Sequence, residues 1–462
     1  MTTTNGDVSF WYADLGGIPT PRSALPGNRE VDVAIVGAGY TGLWTAYYLK
    51  KADPSMRIAI IEKHFAGFGA SGRNGGWLSG EFGWSRERYA RDRGRDAVLA
   101  MQGALWATVD EVISVCAHEG IEADIVKGGA LRYAVSPAQR ARLEASWVYE
   151  RSWGAGPEDL YTLTAEEIRA RINVAGAVIA DWTPHAARIQ PAALARGLAQ
   201  CVAQLGVDIY EGTTVTDISP NNLTTDHGVV KADTIIRATE GFTAGLPGHR
   251  HDWLPMNSAM IVTEPLSDQQ WDEIGWGGCE VVGDSAHAYL YAQRTRAGRI
   301  ALGGRGVPYR FGSATDINGQ TQDKTIELLR ELLNRMFPAL TNVPLEHAWC
   351  GVLGVPRDWC ATVGFDPSSR LGWAGGYVGI GVATSNLAAR SLKALILNTG
   401  EPEASLAFVN RRVRRWEPEP LRWLGVHALY RLYRAGDARE RRSASPRDSR
   451  LATIADRISG RY

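Results

Sequence analysis

The sequence predicts an α/β protein in which a Rossmann-like domain is interleaved with a second, mostly antiparallel α+β domain. The unit from Val31 to Glu62 has the pattern strand, glycine turn, helix, strand. The stretch from Trp253 to Glu346 is strand-rich and aromatic, and residues 371–397 then give strand, glycine turn and apolar helix again. Because the strand–helix pattern stops and later resumes, we expect the chain to leave the first domain and return to it.

Length and charge limit the possible functions. At 462 residues the chain is too long for one simple core, and two domains are expected. The 50 basic and 50 acidic residues balance, so no electrostatic nucleic-acid partner is indicated. The 16 tryptophans could line an aromatic pocket, although large aromatic side chains more often fill cores.

The cysteines and the N-terminus indicate a compartment. Five cysteines without a C-x-x-C pair argue against a zinc site, and no metal site is predicted. The odd number also argues against a disulfide framework and favours a reducing, cytoplasmic location. The N-terminus lacks the basic and apolar regions of a signal peptide, and no apolar run of about 18 residues predicts a transmembrane segment.

Residues 31–62 carry the most informative pattern in the chain. Gly37 permits a tight turn, Gly39 lets the backbone approach a pyrophosphate, and Gly42 lets the helix pack closely on the strand. The helix N-terminus offers N–H groups and a partial positive charge to phosphates. Glu62, twenty residues after Gly42, is placed to hold the ribose hydroxyls of an adenosine. An ordinary glycine-rich strand-to-helix turn is the alternative. The predicted dinucleotide-binding residues of this unit are Gly37, Ala38, Gly39, Tyr40, Thr41, Gly42 and Glu62.

The two ends of the chain differ in composition from this unit. Three prolines precede the first strand, which predicts an irregular arm. The final sixty or so residues are rich in arginine and contain no lysine. They are typical of a solvated helix packed on the body and followed by disorder, and a basic membrane or partner helix is the alternative. The expected divisions are an arm at 1–30, a nucleotide-binding domain at 31–95, 185–250 and 347–400, a substrate domain at 96–184 and 251–346, and a tail at 401–462.

Four separated pieces need a common explanation: the 31–62 unit, the loop GASGRNGG at 69–76, the strand ending in ADTIIRATEG, and the turn GGYVGIGVATS at 375–385. A nicotinamide enzyme has no use for the last piece, whereas an extended FAD can touch all four. The sequence resembles the D-amino-acid-oxidase-like FAD-dependent oxidoreductases. It is most similar to the branch of γ-glutamylputrescine oxidase, glycine oxidase and sarcosine oxidase. The resemblance implies a Rossmann-like FAD-binding domain interleaved with a mostly antiparallel α+β substrate domain.

The resemblance also implies roles for the residues of the later pieces. Lys63 would lie beside the ribose-binding Glu62, Val215 would meet the adenine, and the 69–76 loop would run beneath the flavin. In the family an Ala-Thr-Gly turn corresponds to Thr239 and Gly241, but Glu240 intervenes here. The residues carried over in this way are Lys63, Gly69, Ala70, Ser71, Arg73, Asn74, Gly75, Gly76, Val215, Thr239, Gly241, Gly376, Gly379, Gly381 and Val382.

Two departures from the family refine this expectation. The loop after the first unit lacks the histidine that attaches FAD in some relatives, and Cys360 does not match the offset of another attachment site, so noncovalent FAD is expected. His64 is better read as a capping or solvated histidine. A lysine that assists the reaction with oxygen in the sarcosine oxidase branch has no counterpart in residues 299–303. Oxidase behaviour is therefore less strongly implied than FAD binding.

The chemistry implied is oxidation of a primary or secondary amine or amino acid to an imine, by hydride transfer to flavin N5. Oxygen would then take the electrons and give hydrogen peroxide. An arginine would suit a substrate carboxylate, and Arg305 is the first candidate, ahead of Arg294 and Arg296. Aromatic rings could line the flavin site, although core packing explains them equally well. A histidine could border the site, although a structural histidine is the alternative. The candidates at the substrate side are Arg305, Tyr291, Tyr289 and His185, with Tyr309 and Arg188 as further possibilities.

Three other functions remain open. One is an FAD-dependent dehydrogenase or tailoring enzyme that uses another acceptor or a non-amine substrate. Another is a noncatalytic FAD-binding protein that docks through its arginine-rich tail, and a nicotinamide enzyme is the third. The sequence gives neither the substrate's identity nor the oligomeric state.

Overall fold

The computed structural model describes residues 3–304, 309–315, 318–443 and 445–459. The strands are β1 (Thr4–Asn5), β2 (Arg29–Val36), β3 (Ile58–Ile61), β4 (Trp77–Ser79), β5 (Ala130–Ala134), β6 (Tyr161–Thr164), β7 (Ile179–Thr183), β8 (Ala186–Arg188), β9 (Asp208–Tyr210), β10 (Val215–Ser219), β11 (Asn222–Thr225), β12 (Gly228–Arg237), β13 (Trp253–Thr263), β14 (Val281–Asp284), β15 (Tyr291–Arg294), β16 (Ile300–Gly304), β17 (Leu345–Pro356), β18 (Thr362–Asp366) and β19 (Leu371–Gly375). The helices are α1 (Phe10–Asp14), α2 (Tyr40–Ala52), α3 (Arg86–Arg93), α4 (Arg95–His118), α5 (Pro137–Ser152), α6 (Ala165–Arg171), α7 (Pro191–Gln204), α8 (Asp268–Ile274), α9 (Asp323–Met336), α10 (Gly381–Leu397), α11 (Leu421–Arg442) and α12 (Arg450–Ser459).

The first large sheet is the parallel sheet that the opening pattern predicts. Strands β12, β2, β3 and β9 lie side by side in parallel, and β19 adds a parallel strand beside β12. The hairpin β10–β11 pairs with the N-terminal half of β12, on the edge that faces away from β2. On one face of this sheet, Val33, Ile35 and Ile60 are buried under α2, α7 and α10. On the other face, Val31, Val36 and Ile61 are buried in a separate cluster that includes residues of β11 and β12.

The second large sheet is mostly antiparallel. Its strand order is β1-β17-β13-β16-β15-β14-β5-β7-β6, and only the β1–β17 and β14–β5 pairs are parallel. The long pair β13–β17 runs antiparallel from Trp253 opposite Pro356 to Thr263 opposite Leu345. The apolar face of α9 packs on β13 and β16 and gives this sheet its own core. The predicted α/β fold with two interleaved domains is confirmed.

The structure changes three details of the sequence prediction. The arm contains a short strand, β1, and a helix, α1, both packed on β17, so it is more regular than its prolines indicated. Residues 347–356 belong to β17 in the antiparallel sheet, although the prediction placed the return to the nucleotide-binding domain at residue 347. In the tail, α12 occupies part of the region where disorder was favoured, because it packs against α11.

Helix α4 is the one helix in the described residues that is long and apolar enough to cross a membrane. Length and composition alone select it, and a core helix of a soluble protein passes the same test. One of its faces, which includes Val98, Leu105 and Val112, is buried in the core shared with α10.

Candidate functional site

The first glycine turn joins β2 to α2 and has the geometry that a pyrophosphate needs. Gly37 has a φ of +102°, and a Cβ there would lie 2.7 Å from the Ala238 carbonyl oxygen. A Cβ on Gly42 would lie 2.0 Å from the Gly37 carbonyl oxygen, so only glycine lets α2 start so close to the strand. At Gly39, the N-cap of α2, an added Cβ would meet nothing closer than Ser71 Oγ at 3.0 Å. The turn is closed toward the sheet at Gly37 and Gly42, and Ser71 of the 69–76 loop lies close to it at Gly39.

Glu62 follows β3 and lies beside this turn. Its Oε2 accepts the amide of Ala38 at 2.9 Å, and its Oε1 accepts the amide of His64 at 2.9 Å. Burial raises the pKa of Glu62, while these amide hydrogen bonds oppose the rise. The Glu62 carbonyl accepts the amide of Thr213 at 2.9 Å, and β10 begins two residues later at Val215. The exposed Lys63 extends from the same corner.

The loop at 69–76 packs directly against the first turn. Ser71 Oγ accepts the amide of Tyr40 at 2.8 Å, at the N-terminus of α2. Asn74 holds the loop's own shape: its Nδ2 donates to the carbonyls of Ala70 and Ser71, and its Oδ1 accepts the Gly76 amide. Ser71 is therefore the side chain of this loop that reaches the predicted phosphate position.

Arg73 turns inward from that loop. Its side chain is about 2% exposed, donates from Nε to the Phe68 carbonyl at 2.8 Å, and lies 4.4 Å above the Phe68 ring. The arm also supports this loop, since Ser9 Oγ donates to the Gly72 carbonyl and Trp11 Nε1 to the Asn74 carbonyl. These contacts indicate that Arg73 supports the loop with its side chain.

The second glycine turn runs from β19 into α10 and lies against the first. Gly376 and Gly379 have φ values of +73° and +107°. Gly381 begins α10, and Val382 is buried in its first turn. Tyr377 Oη and Thr41 Oγ1 are 2.9 Å apart, so one hydrogen bond joins the two turns. A Cβ on Gly379 would meet nothing closer than Leu353 at 3.8 Å, which leaves room beside this turn.

Glu240 shapes the second turn and was visible in the sequence only as the residue that interrupts the expected Ala-Thr-Gly pattern. Its carboxylate accepts the amides of Gly376 at 2.7 Å, Gly354 at 3.1 Å and Tyr377 at 3.3 Å. Burial raises the pKa of Glu240 to about 7, and the three amides work against that rise. The neighbouring Thr239 and Gly241 flank this carboxylate, with Thr239 Oγ1 at 2.8 Å from Thr243 Oγ1.

Tyr291 brings the antiparallel sheet to the 69–76 loop. A Cβ on Gly75 would lie 2.7 Å from the Tyr291 ring, and a Cβ on Gly303 would lie 2.2 Å from it. Tyr291 Oη is 2.7 Å from Ser258 Oγ, which fixes the ring. Gln293, two residues along β15, donates to the Gly75 carbonyl at 2.9 Å. Among the predicted substrate-side residues that the structure describes, Tyr291 contacts the 69–76 loop through Gly75.

The other candidates at the substrate side lie elsewhere or pack differently. Tyr289 lies two residues before the start of β15, outside the strand that carries Tyr291. His185 Nε2 is 2.7 Å from Asp159 Oδ1, and its ring stacks on Trp106 at 4.5 Å, which favours a structural role. Arg305 lies outside the described residues.

Three further residues of the substrate side are held by other groups. Arg294 donates to the Trp276 carbonyl and lies 3.9 Å above the Trp271 ring. Arg188 donates to Asp124 and to the Arg294 carbonyl. Tyr309 is fully buried and donates to Glu419.

Comparison with known proteins identifies the family. The family model described as FAD dependent oxidoreductase (DAO) matches residues 32–395. The chain belongs to this family of FAD-dependent enzymes. The match begins in β2 and ends in α10, so it contains both glycine turns and the 69–76 loop.

Curated relatives and solved structures agree with this membership. Gamma-glutamylputrescine oxidoreductase of Escherichia coli is 28% identical over 418 residues, which is 87% of this chain and 92% of that protein. The probable oxidoreductase OrdL of Haemophilus influenzae is 26% identical over 405 residues, or 85% of this chain and 89% of that protein. The glycine oxidase structure from Bacillus cereus has the same fold, with a TM-score of 0.66 at 21% identity over 83% of this chain and 99% of that chain.

The described residues of this FAD-dependent oxidoreductase fit the cofactor. Gly379 has room beside it, since an added Cβ would meet nothing closer than Leu353 at 3.8 Å, whereas a Cβ on Gly39 would lie only 3.0 Å from Ser71 Oγ. Gly39 is the N-cap of α2, and Gly379 lies two residues before α10. Helix N-termini offer the amides and partial positive charge that suit the pyrophosphate and the flavin's electron-rich edge. Glu62 supplies the carboxylate near the expected ribose.

Proposed function

We propose that this enzyme oxidises a primary or secondary amine or amino acid to an imine, which water then hydrolyses to a carbonyl compound. When bound, FAD supplies the hydride acceptor for this reaction. The two glycine turns and Glu62 would hold its phosphates, ribityl chain and adenosine ribose, as proposed from the sequence. Attachment is proposed to be noncovalent, because burial raises the pKa of Cys360 to about 12 and leaves a poor thiolate nucleophile.

One observation carries the proposal, namely the contact between Tyr291 and the 69–76 loop. This contact puts the face of the antiparallel sheet directly beside the loop expected beneath the flavin. Tyr291 is held at both ends, by Ser258 at its hydroxyl and by Gly75 and Gly303 at its ring. A ring fixed in this way can limit where a substrate lies and exclude water from the reacting bond.

The substrate class is inferred from the relatives. The most similar ones include an oxidoreductase of gamma-glutamylputrescine, and the structural neighbours include oxidases of glycine and of iminodiacetate. All three named compounds contain an amino or imino nitrogen, so we infer a nitrogen-bearing substrate here. Such a substrate would be bound with its nitrogen uncharged, since the departing hydride leaves a positive charge on that group.

The second candidate is a dehydrogenase that uses an acceptor other than oxygen, and one observation favours it. The stretch 299–303 contains no lysine, and its only cation, Arg299, donates to Glu346 at 2.6 Å and lies 5.4 Å above the Phe10 ring. Arg299 is therefore ion-paired with Glu346 and directed toward the N-terminal arm. The structural neighbours include an L-proline dehydrogenase as well as oxidases.

We place the activity in the cytoplasm. All five cysteines lie in the described residues, and no disulfide joins any of them. Four of the five are buried, which is typical of structural thiols in a reducing compartment.

The test is anaerobic reduction of the bound flavin. Purified protein is titrated with γ-glutamylputrescine, glycine, sarcosine, proline and iminodiacetate in turn, while the visible flavin band is recorded. We expect one of these compounds to bleach the band, and Tyr291→Phe to slow that bleaching because the ring loses its bond to Ser258. Air is then admitted: rapid return of the band with peroxide indicates an oxidase, and a band that stays bleached indicates a dehydrogenase. A band that no amine bleaches would overturn the substrate class.

A further inference from the structure

The C-terminal helices, residues 421–459, lie beyond the part of the chain that the family model matches. The sequence favoured a solvated helix for this region, yet α11 sends two carboxylates into the body of the protein. Asp437 and Glu440 are about 6% and 4% exposed. Carboxylates are seldom buried to this degree unless specific partners hold them, so their partners indicate what the helix does.

Asp437 binds the backbone of the segment that leads into β15. Its Oδ1 accepts the amide of His287 and its Oδ2 the amide of Ala288, both at 3.0 Å. From the other side, Asp284 Oδ1 accepts the amide of Leu290 at 2.9 Å. Two carboxylates thus fix three of the four amides between residues 287 and 290, and Tyr291 is the next residue in the chain.

Glu440 reinforces the same contact one turn further along α11. Its Oε1 is 3.0 Å from His287 Nε2, and its Oε2 accepts from Arg142 Nη2 at 2.7 Å. Burial alone would raise the pKa of Glu440, but the bonds from His287 and the Ser449 amide and the charge of Arg142 lower it to about 2. His287 also stacks on the ring of Tyr433 at 6.1 Å.

His287, Glu440 and Asp448 have the spacing of metal ligands, but their surroundings argue against a cation there. Arg142 Nη2 lies 2.7 Å from Glu440 and 2.8 Å from Asp448, so a guanidinium already occupies the space between the two carboxylates. The cluster is an ion-pair network that joins α5, the 285–290 segment and α11.

We propose that Asp437 is a positioning residue for the substrate side of the active site: through the His287 and Ala288 amides, the C-terminal helices set the place of Tyr291 beside the cofactor loop. The proposal rests on the proposed function, because it assigns Tyr291 to the substrate pocket. It gives the arginine-rich region a role within the enzyme itself. Among the region's contacts with the body, those of Asp437 end on the 285–290 segment, which immediately precedes Tyr291. Glu440 joins the same segment at His287 and also binds Arg142 of α5.

The test compares three full-length variants reconstituted with FAD. Asp437→Ala removes both acceptors and Asp437→Asn keeps one. Glu417→Gln is the matched control, because Glu417 is also a carboxylate of the C-terminal region that joins it to the body, through Arg357 at 3.0 Å. The readouts are hydrogen exchange of residues 285–294, visible circular dichroism of the bound flavin, FAD affinity, and the KM and kcat for the amine that bleaches the wild-type flavin.

We expect Asp437→Ala to speed exchange at residues 287–291 and to raise KM about tenfold, since two charge-assisted hydrogen bonds are lost. Asp437→Asn should lie between it and the wild type. FAD affinity should match that of Glu417→Gln, because neither glycine turn contacts Asp437. Equal KM and equal exchange in Asp437→Ala and Glu417→Gln would overturn the proposal. So would a loss of FAD affinity or thermal stability without a change in KM.

The failure of the proposed function has a different signature. In that case no amine bleaches the wild-type flavin, and KM is not measured. The exchange rates and the flavin dichroism still decide the inference: a change in both in Asp437→Ala, but not in Glu417→Gln, supports it, and no change in either overturns it.

Discussion

The two glycine turns serve the same expected cofactor but are built differently. In the first, residues 37–42, the shape comes from neighbours in the chain, because Gly42 faces the carbonyl of Gly37 and α2 follows at once. In the second, residues 375–381, the shape comes from Glu240, whose carboxylate binds amides 136 and 137 residues away. The difference shows that similar glycine-rich sequences can depend on local sterics in one case and on a distant buried charge in the other.

The largest expected effect is at the first turn. Gly42→Ala would put a Cβ 2.0 Å from the Gly37 carbonyl oxygen, so α2 would have to move away from β2. We expect loss of FAD binding and a drop of about 3 kcal/mol in the free energy of unfolding, measured by flavin fluorescence and urea unfolding. Gly103→Ala is the control, since an added Cβ in α4 meets nothing within 4 Å. If both variants bind FAD alike, the turn is not the phosphate site.

The next effect is at the second turn. Glu240→Gln leaves one acceptor oxygen and turns an N–H₂ group toward backbone amides that need acceptors. We expect FAD affinity to fall about tenfold, because the turn loses its fixed shape. Glu166→Gln, on the exposed first turn of α6, controls for the loss of one carboxylate. Unchanged FAD affinity in Glu240→Gln would show that the second turn holds its shape without this charge.

The same residue gives a pH dependence. Burial raises the pKa of Glu240 in the folded protein to about 7, above the 4.5 of an ordinary glutamate, so the folded state binds the extra proton between these pH values. Its contribution to stability is therefore fully present below about pH 4.5 and is lost as the pH rises through 7. We expect the melting temperature of wild-type protein without FAD to fall between pH 5 and 8 more steeply than that of Glu240→Gln. Parallel curves would contradict the assigned pKa.

The smallest effect tests the link between the turns. Tyr377→Phe and Thr41→Val each remove the hydrogen bond between Tyr377 Oη and Thr41 Oγ1. Each variant should weaken FAD binding about fivefold, in line with a net hydrogen bond of about 1 kcal/mol. The double variant should lose no more than either single one, because both remove the same bond. Additive losses would mean that the two hydroxyls act separately.

Prediction from sequence succeeded where the interactions are local. The strand, turn and helix at 31–52 follow from β-branched residues, three spaced glycines and an apolar run, all within one supersecondary unit. The mostly antiparallel sheet was also predicted, because the stretch at 253–346 is rich in strand-forming and aromatic residues. The membership in the FAD-dependent oxidoreductase family follows from the same motifs.

Prediction was weaker for single side chains. His185 and Arg294 were plausible at the site because residue type and order along the chain cannot show their partners, which are Asp159 and the Trp276 carbonyl. Glu240 was noticed only as an interruption, although the three amides that its carboxylate accepts explain why an acid stands there. Tyr291 was predicted and lies against Gly75, but Ser258, which fixes its hydroxyl, has no motif that marks it.

The sequence by itself determined the cofactor class and the two-domain α/β fold, because glycine spacing and hydrophobic period report on contacts between residues near one another in the chain. The tertiary structure decided which charges shape the site. Glu240 meets its amides across 136 residues and Asp437 meets those of the 285–290 segment across 150. Pairs so far apart leave no periodic trace in the sequence, and folding alone brings them within hydrogen-bonding distance.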